Sequence, residues 1–381
     1  MKIGIDCRMY GLKHAGIGRY VENLVKEVLK QDNINEYVLF VRNDFEEVQK
    51  LKFKNQNFKS KFKIINADFP HYSLKEQVFF PAILNKENLD LMHFPHFNVP
   101  IFYRGKYIVT IHDLIKHTSK GMQTTTKNAG LYWLKYFGYK LVFASAVKRA
   151  KKIITPSRFV REEIIKEYKI NPQKIEVTYE GFDQKIQNQE KEIFKKYQIE
   201  KPFLLYVGSV YPHKNVENLI KAVVILNQEH RPSFPKIILV IICGRNVFWQ
   251  RLQSKIKEMK AENLIKMTDF VPDEELGSFY REALAFTFPS LSEGFGLPGL
   301  EAMANSLPLI CSDVPVFHEI YQGATEYFNP HNPEDMAKKI NEVISNEKIK
   351  NSLIKKGLER VKNFSWQKMA SQTIRIYNSV W

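Results

Sequence analysis

An α/β chain of two doubly wound domains is predicted by three observations. Short apolar runs alternate with amphipathic segments of helical period along the whole length. The 381 residues exceed what one ordinary core organises. A polar stretch with little to bury, Phe182-Asp183-Gln184-Lys185-Ile186-Gln187-Asn188-Gln189-Glu190, interrupts the alternation near the middle.

In the first half, strands are predicted at Ile3–Cys7, Tyr37–Val41, Lys63–Asn66, Leu89–Phe94, Tyr107–Ile111, Ile153–Thr155 and Ile175–Tyr179. In the second half they are predicted at Phe203–Val207, Ile237–Cys243, Ile265–Phe270, Leu284–Phe288, Leu309–Ser312 and Thr325–Phe328. Periodic helices follow several of them, including Val21–Lys30, Phe159–Tyr168 and Val216–Asn227. The division is residues 1–183 for the first domain, 184–200 for a linker, 201–365 for the second domain, and 366–381 for a last helix capped by Ser365. No short-period repeat or low-complexity tract is present.

Composition narrows the class. A hydrophobic fraction of 44% suits a soluble globular protein, and no run of 18 apolar residues could form a transmembrane helix. The chain enters its first strand at Lys2 with no signal-peptide hydrophobic region, which argues against export. Cys7, Cys243 and Cys311 lie far apart in apolar strand contexts. They read as reduced core thiols of a cytoplasmic protein, not as a disulfide framework or a metal site.

The net charge of +16 is unevenly shared. Residues 1–183 hold 31 Lys+Arg against 19 Asp+Glu, whereas the remainder holds 26 against 22. The first domain is therefore expected to face something anionic. Its stretch Leu51-Lys52-Phe53-Lys54-Asn55-Gln56-Asn57-Phe58-Lys59-Ser60-Lys61-Phe62-Lys63 interleaves lysines with phenylalanines, and Tyr132–Lys152 adds aromatics and a basic end. Such segments suit the anionic inner face of the plasma membrane at roughly 1 kcal/mol per basic residue; a solvated surface is the competing reading. The same charge would serve a nucleic-acid-binding module, but no nucleic-acid fold is recognisable and no nucleic-acid partner is expected.

The run Pro289-Ser290-Leu291-Ser292-Glu293-Gly294-Phe295-Gly296-Leu297-Pro298-Gly299-Leu300-Glu301 carries the most chemistry. A strand, a glycine-rich turn and a helix N-terminus make an anion site, because free backbone N–H groups and the positive dipole end face one point. Two carboxylates beside such a site would repel a bare phosphate, but they accept hydrogen bonds from sugar hydroxyls. A ligand with a diphosphate in the middle and a sugar at each end fits, which is a sugar nucleotide. Gly16 and Gly18 precede the helix Val21–Lys30, where they would let backbone approach a ligand. Val21 stands where the dinucleotide fingerprint needs its third glycine, which disfavours a nicotinamide enzyme. Lys214, just before the helix Val216–Asn227, is a point charge suited to a diphosphate. His112 closes a buried strand at its carboxyl end, where open α/β sheets bind ligands. No pair of His93, His96 and His112 has metal spacing with a third ligand, and lysine plus helix dipoles would neutralise a leaving diphosphate. A metal-independent enzyme without cofactor is expected.

The 289–301 run resembles the Glu-x7-Glu motif of retaining glycosyltransferases of family 4, which have the two-Rossmann GT-B fold facing a central cleft. The resemblance extends from Ile3 to Trp366, most closely to bacterial mannosyltransferases of O-antigen or exopolysaccharide synthesis. It implies that Glu293 contacts the donor sugar, that Glu301 contacts the nucleotide ribose, and that Gly294, Phe295, Gly296 and Leu297 supply amides. It implies that Gly16 and Gly18 approach the donor diphosphate, that His112 contacts the donor sugar, and that Gly244 and Val271 border the nucleobase. The family usually has an arginine where Ser209 stands, so the second cation is missing or comes from elsewhere, with Arg19 and His213 as candidates. Arg19, His93 and His96 are assigned to the acceptor side. Gly299 replaces a common second proline, which should loosen the helix start. The last helix is expected to cross back over the first domain. The implied reaction is retaining transfer of a hexose, leaning to mannose from GDP-mannose, to a hydroxyl of a glycan or lipid-linked acceptor. A sugar-nucleotide epimerase of the same fold is the nearest alternative.

Overall fold

The computed structural model describes residues 1–11, 14–42, 58–118, 129–183, 193–228 and 235–380. It holds two parallel sheets, each in its own compact unit. The first unit comprises Met1–Leu114, Lys127–Gly181 and Phe364–Trp381; the second comprises Ile115–Thr126 and Phe182–Asn363.

The first sheet has β1 (Lys2–Asp6), β2 (Glu36–Val41), β3 (Phe62–Asn66), β4 (Leu91–Phe94), β5 (Tyr107–Thr110), β6 (Lys152–Thr155) and β7 (Ile175–Val177). Its spatial order is β3-β2-β1-β4-β5-β6-β7, parallel throughout. The second sheet has β8 (Phe203–Val207), β9 (Ile238–Ile242), β10 (Ile265–Thr268), β11 (Phe286–Phe288), β12 (Leu309–Ser312) and β13 (Glu326–Phe328). Its order is β10-β9-β8-β11-β12-β13, again parallel. Both orders reverse beside the first strand of the unit, at β1/β4 and at β8/β11. In open α/β sheets that reversal opens a crevice at the carboxyl ends of the strands, where ligands bind.

The strands are apolar because helices cover both faces of each sheet. In the first unit, alternate strand residues point to opposite faces. Val38, Phe40, Met92 and Phe94 pack with Phe80, Phe143, Val147 and Ile164, which come from the helices Leu74–Lys86, Ala129–Arg149 and Arg158–Tyr168. On the other face the helices Ala15–Gln31 and Trp366–Ser379 pack against each other. Ser365 caps the latter by accepting from the Lys368 N–H at 3.1 Å.

One local expectation changes. The first helix begins at Ala15, not Val21, so Gly16 and Gly18 lie in its opening turns. The reason is steric. Gly18 passes so close to the Gly11 carbonyl that any Cβ would overlap it, and this contact lets the helix start tightly after β1. The helix after β11 starts at Leu297, one residue before Pro298. Of the lysine–phenylalanine stretch, residues 51–57 lie outside the described residues.

Candidate active site

In the second unit two loops leave adjacent strands at the β8/β11 reversal. After β8 the chain passes Gly208 and Ser209, makes a 3-10 turn over Pro212–Lys214, and enters the helix Val216–Gln228 through a left-handed Asn215. After β11 it runs through Glu293 to Gly296, also left-handed, and into the helix Leu297–Ala304. Three contacts tie the loops together. Lys214 Nζ donates to Glu293 Oε1 at 2.5 Å, the Leu291 N–H donates to the His213 carbonyl at 2.8 Å, and Asn215 Nδ2 donates to the Pro289 carbonyl at 3.1 Å. Ser290 Oγ donates to the same Glu293 oxygen at 2.7 Å. The lysine and carboxylate side chains are 18% and 10% exposed, so the charge pair is shielded yet reachable.

The helix Leu297–Ala304 has Gly296 at its cap position and no side-chain capping bond. The Tyr321 hydroxyl donates to the Gly296 carbonyl, and its ring fills the space where a Cβ on Gly296 or Gly299 would lie. The missing second proline thus has a steric cause: a proline ring at 299 would overlap Tyr321. Glu301 is buried and accepts from Tyr280 Oη at 3.0 Å, which fixes the direction of its carboxylate. Gly294, Phe295 and Gly296 are buried, and Leu297 is half-buried. Burial and the neighbouring Lys214 charge push His213 down to about 4. That shift favours the neutral ring near pH 7. Gly244 is exposed at the end of β9, beside an Arg245–Asp269 pair of 2.6 Å, while the Val271 side chain is buried. Ser209 accepts at its carbonyl from Tyr206 Oη at 2.6 Å.

The first unit holds the histidines. His93, inside β4, is fully buried, with Nδ1 2.8 Å from Tyr377 Oη and Nε2 2.9 Å from Thr110 Oγ1. Burial, reinforced by His112, pushes it down to about 3. It joins the helix Trp366–Ser379 to the sheet and does not face an acceptor. His96 lies on the loop after β4, with the Asn98 N–H donating to its Nδ1 at 3.3 Å. Arg19 is half-buried in the helix Ala15–Gln31, and Gly16, at its start, is exposed.

His112 is held at both nitrogens, Nδ1 at 3.1 Å from Glu180 Oε1 and Nε2 at 3.0 Å from the Pro95 carbonyl. Both partners are acceptors, so the pattern is satisfied by the doubly protonated ring. Burial alone would lower its pKa, but Glu180, the Pro95 carbonyl and Asp113 outweigh that and hold it above its ordinary value. Tyr20 meets its ring edge-on at 4.7 Å. A raised folded pKa gives stability that is complete below the unfolded value of about 6.5 and is lost as pH rises through the folded value. Thermal melts from pH 6 to 9 are expected to fall more steeply for the wild type than for His112→Gln. Equal slopes would mean that the ring is not an imidazolium. Glu180 was not singled out in the sequence, where it is one acid in a loop.

Among the described residues, no group of three or more His, Cys, Asp or Glu side chains could hold a metal ion, and no helix is long and apolar enough to cross a membrane. Cys7, Cys243 and Cys311 are buried free thiols.

Two Rossmann-like units, each with a strand reversal beside its first strand, are the architecture of the GT-B glycosyltransferases. Comparison with known proteins agrees. Residues 14–185 match Glycosyltransferase Family 4, and residues 189–360 match Glycosyl transferases group 1. The chain belongs to the family 4, GT-B glycosyltransferases and is a transferase enzyme. It is 33% identical over 194 residues to the O-antigen chain mannosyltransferase RfbU of Salmonella typhimurium, a match spanning 50% of each chain. It is 27% identical over 380 residues to the O-antigen chain mannosyltransferase B of Escherichia coli, covering 95% of each. Among solved structures, the sucrose-phosphate synthase of Thermosynechococcus elongatus superposes with a TM-score of 0.75 at 18% identity, over 100% of this chain and 99% of that one. HepE of Anabaena, solved with UDP and glucose, superposes at 0.73 and 16% identity over the full length of both.

Proposed function

We propose that the protein transfers a hexose, with mannose the leading candidate, from a nucleoside-diphosphate sugar to a hydroxyl of a glycan or lipid-linked acceptor, with retention of anomeric configuration, in cell-surface polysaccharide synthesis. The observation that carries this reading is the Lys214–Glu293 pair at the β8/β11 reversal, beside a helix whose cap position is a glycine. A diphosphate takes the lysine and the helix N-terminus, releasing Glu293 to accept from sugar hydroxyls. As the sugar departs, those positive groups meet the charge developing on the diphosphate. They need no metal for this task. The acceptor hydroxyl loses its proton to the departing phosphate. The mannosyl preference and the polysaccharide setting rest on the names of the two O-antigen relatives.

The test is a donor panel of GDP-, UDP-, ADP- and dTDP-sugars with EDTA present, with released nucleotide read by mass spectrometry and binding by thermal shift. Release from one donor is expected. No release and no shift with any donor would overturn the reading and favour a basic nucleic-acid-binding module. Conversion of the sugar without an acceptor, with the diphosphate retained, would favour an epimerase.

We further propose that the protein works at the cytoplasmic face of the membrane, and one set of exposed side chains supports this reading. Trp133, Phe137 and Leu141, with Leu134 beside them, are exposed at successive turns of the helix Ala129–Arg149. Leu74, Val78 and Phe79 are exposed on the helix Leu74–Lys86, which shares the same core cluster. Exposed Lys148, seven residues after Leu141, extends the same face. An apolar stripe flanked by lysine suits the headgroup boundary of an anionic leaflet. Flotation with phosphatidylglycerol–phosphatidylcholine vesicles is expected, and the double variant Trp133→Ser, Phe137→Ser should weaken it by at least ~10-fold. Equal flotation with pure phosphatidylcholine would remove the electrostatic part of this proposal.

A further inference from the structure

A closed circuit of contacts runs through the ring of His112, which stands just past the carboxyl end of β5, where an open α/β sheet binds its ligands. Glu180, on the loop after β7, meets Nδ1 at 3.1 Å, and the Pro95 carbonyl, directly after β4, meets Nε2 at 3.0 Å. Glu180 is followed by Gly181, which lies against the backbone of Ser365 and Trp366 so closely that any Cβ would overlap it. The Trp366 ring packs 6.4 Å from the Tyr20 ring, and Tyr20 returns to His112 at 4.7 Å. Tyr20 is itself held by Thr110 Oγ1 at 3.2 Å. The ends of three strands and the helices Ala15–Gln31 and Trp366–Ser379 therefore bear on one imidazole.

The partners of Glu180 set it apart from a structural acid. Burying a carboxylate is costly unless it is paired and hydrogen-bonded. Glu76, fully buried in the same unit, meets that demand several times over: it accepts from Asn98 Nδ2 and the Tyr72 N–H at 2.8 Å and pairs with Arg8 at 2.8 Å. The Glu180 side chain is only 6% exposed, yet among the described residues its carboxylate makes one hydrogen bond, the one to His112. What its burial achieves is the setting of that ring.

The protonation of the ring decides its orientation. An imidazolium has two N–H groups for two acceptors, and both bonds form. A neutral imidazole has one, so a lone pair would face an acceptor oxygen and the ring would turn from that contact. We propose that Glu180 is a positioning residue for sugar transfer, which holds His112 in the one orientation that both acceptors satisfy; the inference rests on the glycosyl-transfer reading and adds a residue to it. With both N–H groups engaged, the ring has no proton to exchange with a substrate, so it serves as a fixed positive edge of the site and not as an acid or base. The titratable groups that face it are Glu180, Asp113, His93 and Tyr20. His93 is neutral near pH 7, and burial pushes the Tyr20 hydroxyl up, so the two carboxylates are the only charges set against the ring.

The test compares wild type, Glu180→Gln and Glu180→Ala on the full chain. For each, kcat and donor KM are measured across pH with the preferred donor, and the His112 ring is titrated by NMR with labelled histidine, its signal assigned by its loss in His112→Gln. Glu180→Gln keeps an acceptor of the same size but not the charge. Its His112 signal should titrate at lower pH than in the wild type, because burial is then opposed by less negative charge. Its kcat should fall off earlier as pH rises, by at least ~10-fold where the two profiles differ most, with a smaller change in KM. Glu180→Ala loses acceptor and charge together, and its kcat should lie at least ~10-fold below the wild type throughout. The glutamine variant guards against a folding defect in the alanine variant. A His112 titration unmoved in Glu180→Gln, or a kcat profile of either variant that superposes on the wild type, would overturn this inference and leave the glycosyl-transfer reading standing. A wild type that releases no nucleotide from any donor would overturn both.

Discussion

Lys214→Ala and Glu293→Ala are each expected to lower turnover at least ~100-fold, as judged by nucleoside diphosphate released from the preferred donor. Loss of one group aimed at developing charge costs about 3–4 kcal/mol in the transition state. The 2.5 Å contact between the two side chains adds a second effect. Removing the lysine leaves a shielded carboxylate that repels the incoming diphosphate, so Lys214→Ala should also raise the donor KM. Glu293→Ala frees the lysine and should leave diphosphate affinity intact or improved while kcat falls. Lys214→Arg and Glu293→Gln keep the packing and separate chemistry from folding. Near-normal turnover in either alanine variant would remove that residue from the mechanism.

The second large effect is expected at the turn before Glu301. Gly299→Pro and Gly296→Ala should each destabilise the protein by about 2–4 kcal/mol, seen as a lower urea midpoint at unchanged slope. Gly296 has φ of +107°, which a side chain resists, and both positions press against the fully buried Tyr321. Trimming that ring should recover part of the loss at 299: the double variant Gly299→Ala, Tyr321→Leu should melt above the sum of its single changes. Additive losses would mean that the tyrosine does not shape the turn.

Strand placement was legible because parallel strands buried on both faces read as nearly continuous apolar runs. β8 and β12 fall where the sequence puts them, and the others shift at an end by two residues or fewer. The glycine-rich turn was legible through its residue types. What the sequence hides is pairing across distance and the burial of charge. Lys214 and Glu293 are 79 positions apart and meet only because β8 and β11 are neighbours. Glu180, Arg8 and Glu76 look like ordinary surface charges, and nothing in composition marks them as buried. Ser73 three places before Glu76 is a capping-box spacing, and the Ser73 hydroxyl does accept from the Glu76 N–H at 3.1 Å. The acid then turns away to Tyr72, Asn98 and Arg8, which no local pattern foretells. His93 did carry a signal, since a histidine between apolar residues in a short strand is more often packed than offered to a ligand.

The helix Trp366–Ser379 belongs to the first unit although it follows the second in sequence, and Tyr377 locks onto His93 inside the first sheet. The second unit is thus largely spliced into the first. Exchanging the second unit between relatives by recombination would need two crossovers, near 182 and 363, so that the host keeps its own last helix. A single crossover would graft a foreign helix onto the host in place of the one whose Tyr377 meets the buried His93.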